Sequence, residues 1–259
     1  MVRSGTDIQA NVALLDEIAA NAWPATVQQQ LEGWKLRAAG GLTRRANSVH
    51  TPGAIPRYPN WLQEVSDFYA RQGLPVRFQV SDGSPPELAP VLDQLGYTRE
   101  AFTEVQVASA KAVAERARWS EGISVKTAAR LDESWLRAFM RVEEHDPARA
   151  EMYRAIMSAI GPQARFAQAV WRDETVGVGL AVSERGWTGL FNLATARDMR
   201  GRGIATSVIS DLAHWSLEQG ADRLYLQVTE SNEVARTLYT RLGFSYLYGY
   251  HYRTEPGRS

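Results

Sequence analysis

A helix–strand–helix–strand pattern occurs twice in this chain, and the repeat limits the available folds more than any other feature. Residues 61–107 carry the first copy and residues 208–253 the second. The same residue pairs recur in the same order, offset by 147 or 148 positions: Gln72-Gly73 with Gln219-Gly220, Gln79-Val80 with Gln227-Val228, and Leu95-Gly96-Tyr97 with Leu242-Gly243-Phe244. Chance similarity of two amphipathic units is the alternative, but three ordered matches favour a duplication.

The second half predicts an alternation of strands and helices. We expect strands at 123–129, 164–172, 176–184, 187–196, 222–228 and 244–253, and helices at 132–144, 148–161, 203–220 and 232–243. This order indicates an α/β (α+β) fold with a mixed sheet. The repeat then predicts two such domains with flanking helices, at 1–112 and 121–259, separated by a polar connection at 109–121.

Composition argues against several functional classes. The 259 residues include no cysteine, which removes thiolate metal ligands and a cysteine nucleophile and fits a cytoplasmic protein. A formal net charge of zero argues against a nucleic-acid partner. We expect no membrane association, because no apolar run approaches the roughly 18 residues of a span and the N-terminal residues lack a signal-peptide core. The four histidines (His50, His145, His214 and His251) lack metal-ligand spacing, so we expect no metal.

A basic, glycine-bearing turn, MRGRGIATSVI, occupies residues 199–209 between a predicted strand and a predicted helix. Backbone N–H groups at a helix N-terminus are unpaired and carry partial positive charge, so they can bind phosphate. Arg200 and Arg202 add donors, and the small residues Gly203 and Ala205 let an anion approach the backbone. The spacing fits neither a Walker loop nor a dinucleotide fingerprint. An ordinary basic turn and an RNA-binding arginine–glycine stretch are the alternatives.

Two motifs resemble those of the GNAT acetyltransferase superfamily. Arg-x-x-Gly-x-Ala at 200–205 is similar to its acetyl-CoA loop, and NEVARTLYTRLGF at 232–244 is similar to its second motif. The predicted order of elements is also that of the family, and the resemblance spans about 120–255. It implies GNAT-like domains, N-acetyltransferase activity and acetyl-CoA as the acyl donor.

The resemblance also implies roles for individual positions. The backbone amides of 200–206 would hold the CoA pyrophosphate, and the strand end at 193–195 would pair with the pantetheine arm beside a gap between two strands. Asn232 would contact the cofactor arm, and Tyr239 would protonate the departing thiolate. The implied cofactor-binding residues are Leu193, Ala194, Thr195, Arg200, Gly201, Arg202, Gly203, Ile204, Ala205, Thr206, Asn232, Ala235 and Tyr239.

The spacing of the second motif agrees with these roles. Asn232, Ala235 and Tyr239 share one face of the predicted helix, and the alanine leaves room for a ligand along that face. A tyrosine hydroxyl with a pKa near ~10 can protonate a thiolate whose free pKa is near ~8.5. The alternatives are that Asn232 serves only as a helix N-cap and Tyr239 only as a packed aromatic residue.

The acceptor side is less defined. Because the chain has no cysteine, direct attack by an amine on acetyl-CoA in one ternary complex is the simplest mechanism, and it requires a base. Glu143 and Glu144 end the predicted helix at 132–144, a region that lines the acceptor site in many relatives. A solvated helix end is the preferred interpretation of this cluster. Asn192 lies near the place where some relatives have a polar acceptor contact.

The first half lacks the residues of the pyrophosphate-binding turn at 200–206, which we call the cradle. Gly53, Pro56 and Tyr58 stand 147 positions before Arg200, Gly203 and Ala205, and Leu92 stands in place of Tyr239. Proline has no N–H, and a tyrosine side chain blocks close approach. The sequence thus predicts a degenerate GNAT-like domain at 1–112 and an acetyl-CoA-binding catalytic domain at 121–259, an architecture similar to that of mycothiol synthases.

The predicted function is acetyl transfer to a primary amine of a small molecule. A non-catalytic CoA-binding module acting as a sensor, and an acetyltransferase like the mycothiol synthases, are the alternatives. The sequence specifies neither the acceptor nor an oligomeric state.

Overall fold

The computed structural model describes residues 5–257, with side chains from residue 11 onward. The chain divides into two compact units. One unit holds the residues up to Glu104 together with those from Leu247 on, and the other holds Val105–Tyr246. Both units combine helices with strands, which confirms the mixed α/β class.

Eight α-helices and eleven strands lie within the described residues. The helices are α1 (Gly5–Ala22), α2 (Trp61–Arg71), α3 (Leu88–Gln94), α4 (Ala110–Arg116), α5 (Glu133–Val142), α6 (Ala150–Ser158), α7 (Ile204–Glu218) and α8 (Glu233–Leu242). The strands are β1 (Val27–Leu31), β2 (Trp34–Ala38), β3 (Val49–His50), β4 (Arg77–Ser81), β5 (Thr98–Ser109), β6 (Ser124–Ala128), β7 (Gln163–Trp171), β8 (Glu174–Glu184), β9 (Trp187–Thr195), β10 (Arg223–Thr229) and β11 (Ser245–Thr254).

The first unit builds its sheet in the order β1-β2-β3-β4-β11-β5. Strands β3 and β4 are parallel, whereas β2 with β3 and β4 with β11 are antiparallel. Because side chains alternate along a strand, β2 directs Trp34 into an apolar core and Arg37 to the opposite face. On that face Arg37 Nη2 donates to Gln79 Oε1 (2.8 Å), and Ser81 Oγ donates to Asp16 Oδ2 (2.6 Å). Hydrogen bonds therefore satisfy buried polar groups between α1 and the sheet.

The second unit orders its strands β5-β10-β9-β8-β7-β6. Strands β9 and β10 are parallel, while β6 with β7, β7 with β8 and β8 with β9 are antiparallel. Helix α7 lies close against β8. A Cβ at Gly177 would stand 2.6 Å from Ile204 Cγ2, and a Cβ at Gly179 would stand 2.5 Å from Val208 Cγ1. The alternating glycines of β8 thus set how near the helix approaches the sheet.

The segment at 109–121, expected to be a polar connection, instead contains helix α4. Ser109 caps this helix by accepting a hydrogen bond from the Ala112 N–H, and Val113 and Ala117 are buried in the core of the second unit. Small apolar residues at helical spacing explain the packing, although the segment is charged on its other faces.

The compact units also follow a different division from the predicted ranges. The end of β5 and all of α4 pack within the second unit, and most of β11 packs within the first. The ranges 1–112 and 121–259 therefore stay a prediction about the duplicated sequence. No helix among the described residues has both the length and the apolar composition to cross a membrane.

Candidate active site

The basic turn forms the entry to helix α7. A short 3₁₀ turn at Arg197–Met199 follows β9, and the backbone then passes through Gly201 (φ 76°) and Gly203 (φ 75°) before α7 begins. Within the described residues, the N–H groups of 200–203 donate to no protein acceptor, and those of the first helical turn have no intrahelical partner. The turn therefore presents a run of free donors at the positive end of the helix dipole, as an anion site requires.

Glycine is present at the two positions of this turn for different structural reasons. A Cβ at Gly201 would meet nothing within 4 Å, so the space above this residue is open. A Cβ at Gly203 would collide with Ser120 Oγ. Gly203 is thus required by its left-handed backbone and by packing against residue 120, whereas Gly201 borders the open side of the cradle.

Strands β9 and β10 separate next to this turn. Residues 187–190 pair with residues 223–226, but neither strand keeps the pairing beyond that point, although β9 continues to Thr195 and β10 to Thr229. The edge of β9 at Leu193-Ala194-Thr195 therefore faces a gap on the β10 side. Unpaired strand edges can accept an extended ligand.

A β-bulge lies in β9 at this gap. The register against β8 shifts between the Leu180–Phe191 and Val178–Ala194 pairs, and Asn192 adopts a left-handed backbone (φ 49°). Its Nδ2 is buried without a hydrogen-bond partner in the described part of the chain. Such a strained residue with an unsatisfied amide is typical of a position that contacts a ligand.

Helix α8 carries the second motif as expected. Asn232 caps the helix, with Oδ1 accepting from the Ala235 N–H at 3.2 Å, and Gly243 ends it with φ 99°. Tyr239 packs edge-on against Phe244 with ring centroids 5.9 Å apart and is 8% exposed. The structure thus supports both the N-cap and the packed-aromatic interpretations, and neither prevents contact with a ligand.

Three charged or titratable groups from different elements act on one another here. Burial, together with the smaller effect of the negative charge of Glu143, raises the pKa of Tyr239 to about 12. Burial also raises the pKa of the Glu143 carboxyl, while the positive charge of Arg200 opposes that rise. Glu143 and Glu144 both keep a solvent-exposed surface, and Glu144 has a left-handed backbone (φ 54°). Of the two predicted glutamates, the structure brings Glu143 into the electrostatic surroundings of Tyr239 and Arg200.

Sequence reasoning missed the bulge and the contact between residues 120 and 203. The glycines at 177 and 179 lie in the neighbouring strand β8 and mark the close approach of α7, so they gave no signal for the bulge in β9. No local signal pairs residue 120 with residue 203, because the contact depends on where α4 packs. Among the described residues, no cluster of three or more His, Asp or Glu side chains could hold a metal ion.

Comparison with known proteins finds relatives over almost the whole chain. The family model described as "Probable histone acetyltransferase Rv0428c C-terminal" matches residues 9–253. The chain is 31% identical over 245 residues to the uncharacterized N-acetyltransferase YobR of Bacillus subtilis, covering 95% of this chain and 99% of the relative. It is 27% identical over 253 residues to the probable histone acetyltransferase Rv0428c of Mycobacterium tuberculosis, covering 96% and 75%.

Solved structures share the fold at lower identity. A GCN5-related N-acetyltransferase from Kribbella flavida superposes with a TM-score of 0.71 at 16% identity, covering 95% of this chain and 96% of that one. A tandem GNAT protein from the clavulanic acid biosynthesis pathway gives a TM-score of 0.68 at 13% identity, covering 98% and 94%. The duplicated arrangement expected from the sequence thus has a counterpart among known folds.

Proposed function

The chain belongs to the GNAT superfamily of N-acetyltransferases, and from that premise we propose that it transfers acetyl from acetyl-CoA directly to a primary amine of a small molecule. Two observations support the proposal: the free backbone donors at 200–203 beside the separating strands β9 and β10, and the electrostatic influence that links Glu143 to both Tyr239 and Arg200. In the proposal, the backbone donors form the anion site, Tyr239 is the proton donor and Glu143 is the proton acceptor.

Donor binding follows from the unpaired backbone groups. The N–H groups of 200–206 would hold the pyrophosphate, with Arg200 and Arg202 adding charge-assisted hydrogen bonds. The free edge of β9 at 193–195 would bond the pantetheine arm, and the half-buried Ala235 leaves space along α8. These contacts would place the thioester in the gap between the strands.

The chemistry requires two proton movements. The amine nitrogen attacks the thioester carbonyl carbon, the C–S bond breaks, and CoA leaves as a thiolate. Tyr239 would supply the proton that the thiolate takes up. At a pKa of about 12 the hydroxyl is protonated at neutral pH and has a proton to give, although it is a weaker acid than a free tyrosine. Glu143 would accept the proton lost by the amine, because partial desolvation raises the pKa of its carboxylate and makes it more basic than a free one.

A lysine side chain of a basic protein is the second candidate acceptor. Its support is that the matching family model and the Mycobacterium tuberculosis relative are both described as probable histone acetyltransferases. A lysine ε-amine and a small primary amine demand the same chemistry at Tyr239 and Glu143. The two acceptors differ only in the part of the acceptor molecule that would lie outside the gap between β9 and β10.

The proposal is tested by measuring thiol release from acetyl-CoA with a panel of small primary amines and a lysine-rich basic peptide. We expect turnover with at least one small amine. We also expect Tyr239→Phe to lower kcat by about a hundredfold or more, since general acid catalysis contributes roughly 10² to 10⁴. Turnover only with the peptide would favour the second candidate. Binding of acetyl-CoA without turnover, and no effect of Tyr239→Phe, would instead favour a non-catalytic CoA-binding module.

A further inference from the structure

The segment between α4 and β6 is fixed onto the first turn of α7. The Ser120 N–H donates to Ser207 Oγ at 2.9 Å, and Ser207 Oγ in turn donates to the Gly203 carbonyl at 3.2 Å. Ser120 Oγ fills the space beside Gly203, and Ala117 is buried in the core. Residues 117–120 therefore form a fixed wall beside the free N–H groups of the turn.

Trp119 lies in this wall with its indole in solvent. The residue is 48% exposed, although it stands between the buried Ala117 and the anchored Ser120. No other aromatic ring or cation among the described residues stacks on it. A large aromatic side chain held on a fixed backbone, with a face open to solvent, is suited to stacking against a flat ligand.

The surroundings of Trp119 favour an anionic ligand. Arg118 and Arg202 are both exposed, and neither forms an ion pair within the described residues. Arg118 precedes the segment that contacts Gly203, and Arg200 and Arg202 lie in the turn itself, so three arginines stand close in the chain to the free N–H groups that already favour negative charge. A phosphorylated aromatic compound would complement both the charge and the indole.

We propose that Trp119 and Arg118 form a subsite for the 3′-phosphoadenosine end of acetyl-CoA. The indole stacks on the adenine, and the Arg118 guanidinium bonds the 3′-phosphate. Trp119 is the direct neighbour of Ser120, which contacts Gly203, and in CoA a single ribose separates the adenine from the pyrophosphate. A pyrophosphate held at the turn would therefore bring the adenine toward the indole. The proposal rests on the proposed function, because it extends the same donor-binding site.

Titration calorimetry with CoA, 3′-dephospho-CoA and pantetheine tests the subsite. We expect Trp119→Ala to weaken CoA binding about tenfold, as stacking on one base would give, and to leave pantetheine binding unchanged. Trp119→Phe should keep most of the affinity. Arg118→Gln should weaken CoA and leave 3′-dephospho-CoA unaffected. Leu217→Ala, at the far end of α7 and also partly exposed, is the matched control and should change none of these affinities.

Two results would overturn the subsite while leaving the proposed function intact. One is wild-type affinity for CoA in Trp119→Ala, and the other is an equal loss of CoA and pantetheine binding. A melting curve without ligand separates the second result from misfolding, since a half-exposed side chain contributes little to stability. Absence of any CoA binding by the wild-type protein would overturn both the subsite and the proposed function.

Discussion

At the scale of single residues, burial and neighbouring charge decide which groups can move protons. With a pKa of about 12, Tyr239 stays protonated through the physiological range, so its hydroxyl has a proton to donate but is a weaker acid than a free tyrosine. The pKa of Glu143 is raised as well, but the positive charge of Arg200 limits that rise. In the proposed mechanism, Tyr239 is therefore the acid and Glu143 is the base.

Removing the charge of Arg200 should move the acidic limb of the pH–rate profile. Because the guanidinium lowers the pKa of Glu143, Arg200→Gln should raise that pKa, and the midpoint at which activity appears should shift to higher pH. The measurement is kcat against pH at saturating acetyl-CoA with one amine, so the titration of the amine itself is the same for both proteins. Arg202→Gln is the control. A midpoint that stays in place, or moves down, contradicts the role of Glu143.

At the scale of elements, the entry to α7 depends on two left-handed glycines with different neighbours. Gly201 faces open space, whereas Gly203 packs against Ser120. A substitution at Gly203 therefore disturbs the wall at 117–120 as well as the turn. A substitution at Gly201 therefore tests the contribution of the cradle to acetyl-CoA binding without disturbing the wall.

Gly201→Ala should weaken acetyl-CoA binding specifically. Gly220→Ala is a matched control, because Gly220 has φ 73° and also no atom within 4 Å of an added Cβ, at the opposite end of the same helix. Both variants should lose about 1–2 kcal/mol from left-handed strain. Acetyl-CoA at a hundredfold excess over Kd should stabilise the wild type by about 2.7 kcal/mol and so raise its melting temperature. Only Gly201→Ala should reduce this rise. Equal ligand stabilisation in both variants would contradict the cradle.

The elements themselves were largely predictable, because their ends are local. Gly220 and Gly243 end α7 and α8 in left-handed conformations, as a glycine after a periodic segment predicts. The approach of Glu143 to Tyr239 was not predictable, since it joins the end of α5 to α8 across the sequence. The packing of α4 was missed for the same reason, since charge on its exposed faces hid its short apolar stripe.

At the scale of the whole molecule, the two halves differ most at the entry to one helix. Helices α2 and α7 end 147 positions apart, but they begin only 143 positions apart, because α2 is shorter at its N-terminus. Counted from the helix starts, Arg57 and Tyr58 stand opposite Arg200 and Gly201. The offset of 147 used on the sequence therefore misplaces the loop of the first half, although the cradle is absent by either count.

The N–H groups of Arg57 and Tyr58 are already occupied in the first unit. Both donate to the carboxylate of Glu32, at 3.0 and 3.2 Å, and Glu32 lies in the turn after β1. The protein's own anion thus stands where a ligand phosphate would bind. Pro56, directly before them, supplies no N–H.

The wild-type chain should therefore bind one acetyl-CoA per polypeptide, measured as the stoichiometry of a calorimetric titration. Glu32→Gln should keep a stoichiometry of one, because removing the carboxylate charge does not restore the glycine that Tyr58 replaces. It should cost about 1 kcal/mol of stability, as expected for weakened hydrogen bonds at an exposed site. Gly201→Ala should weaken binding at that single site, which would assign it to the second unit. Two molecules bound per wild-type chain would show that the first half has kept a working cradle.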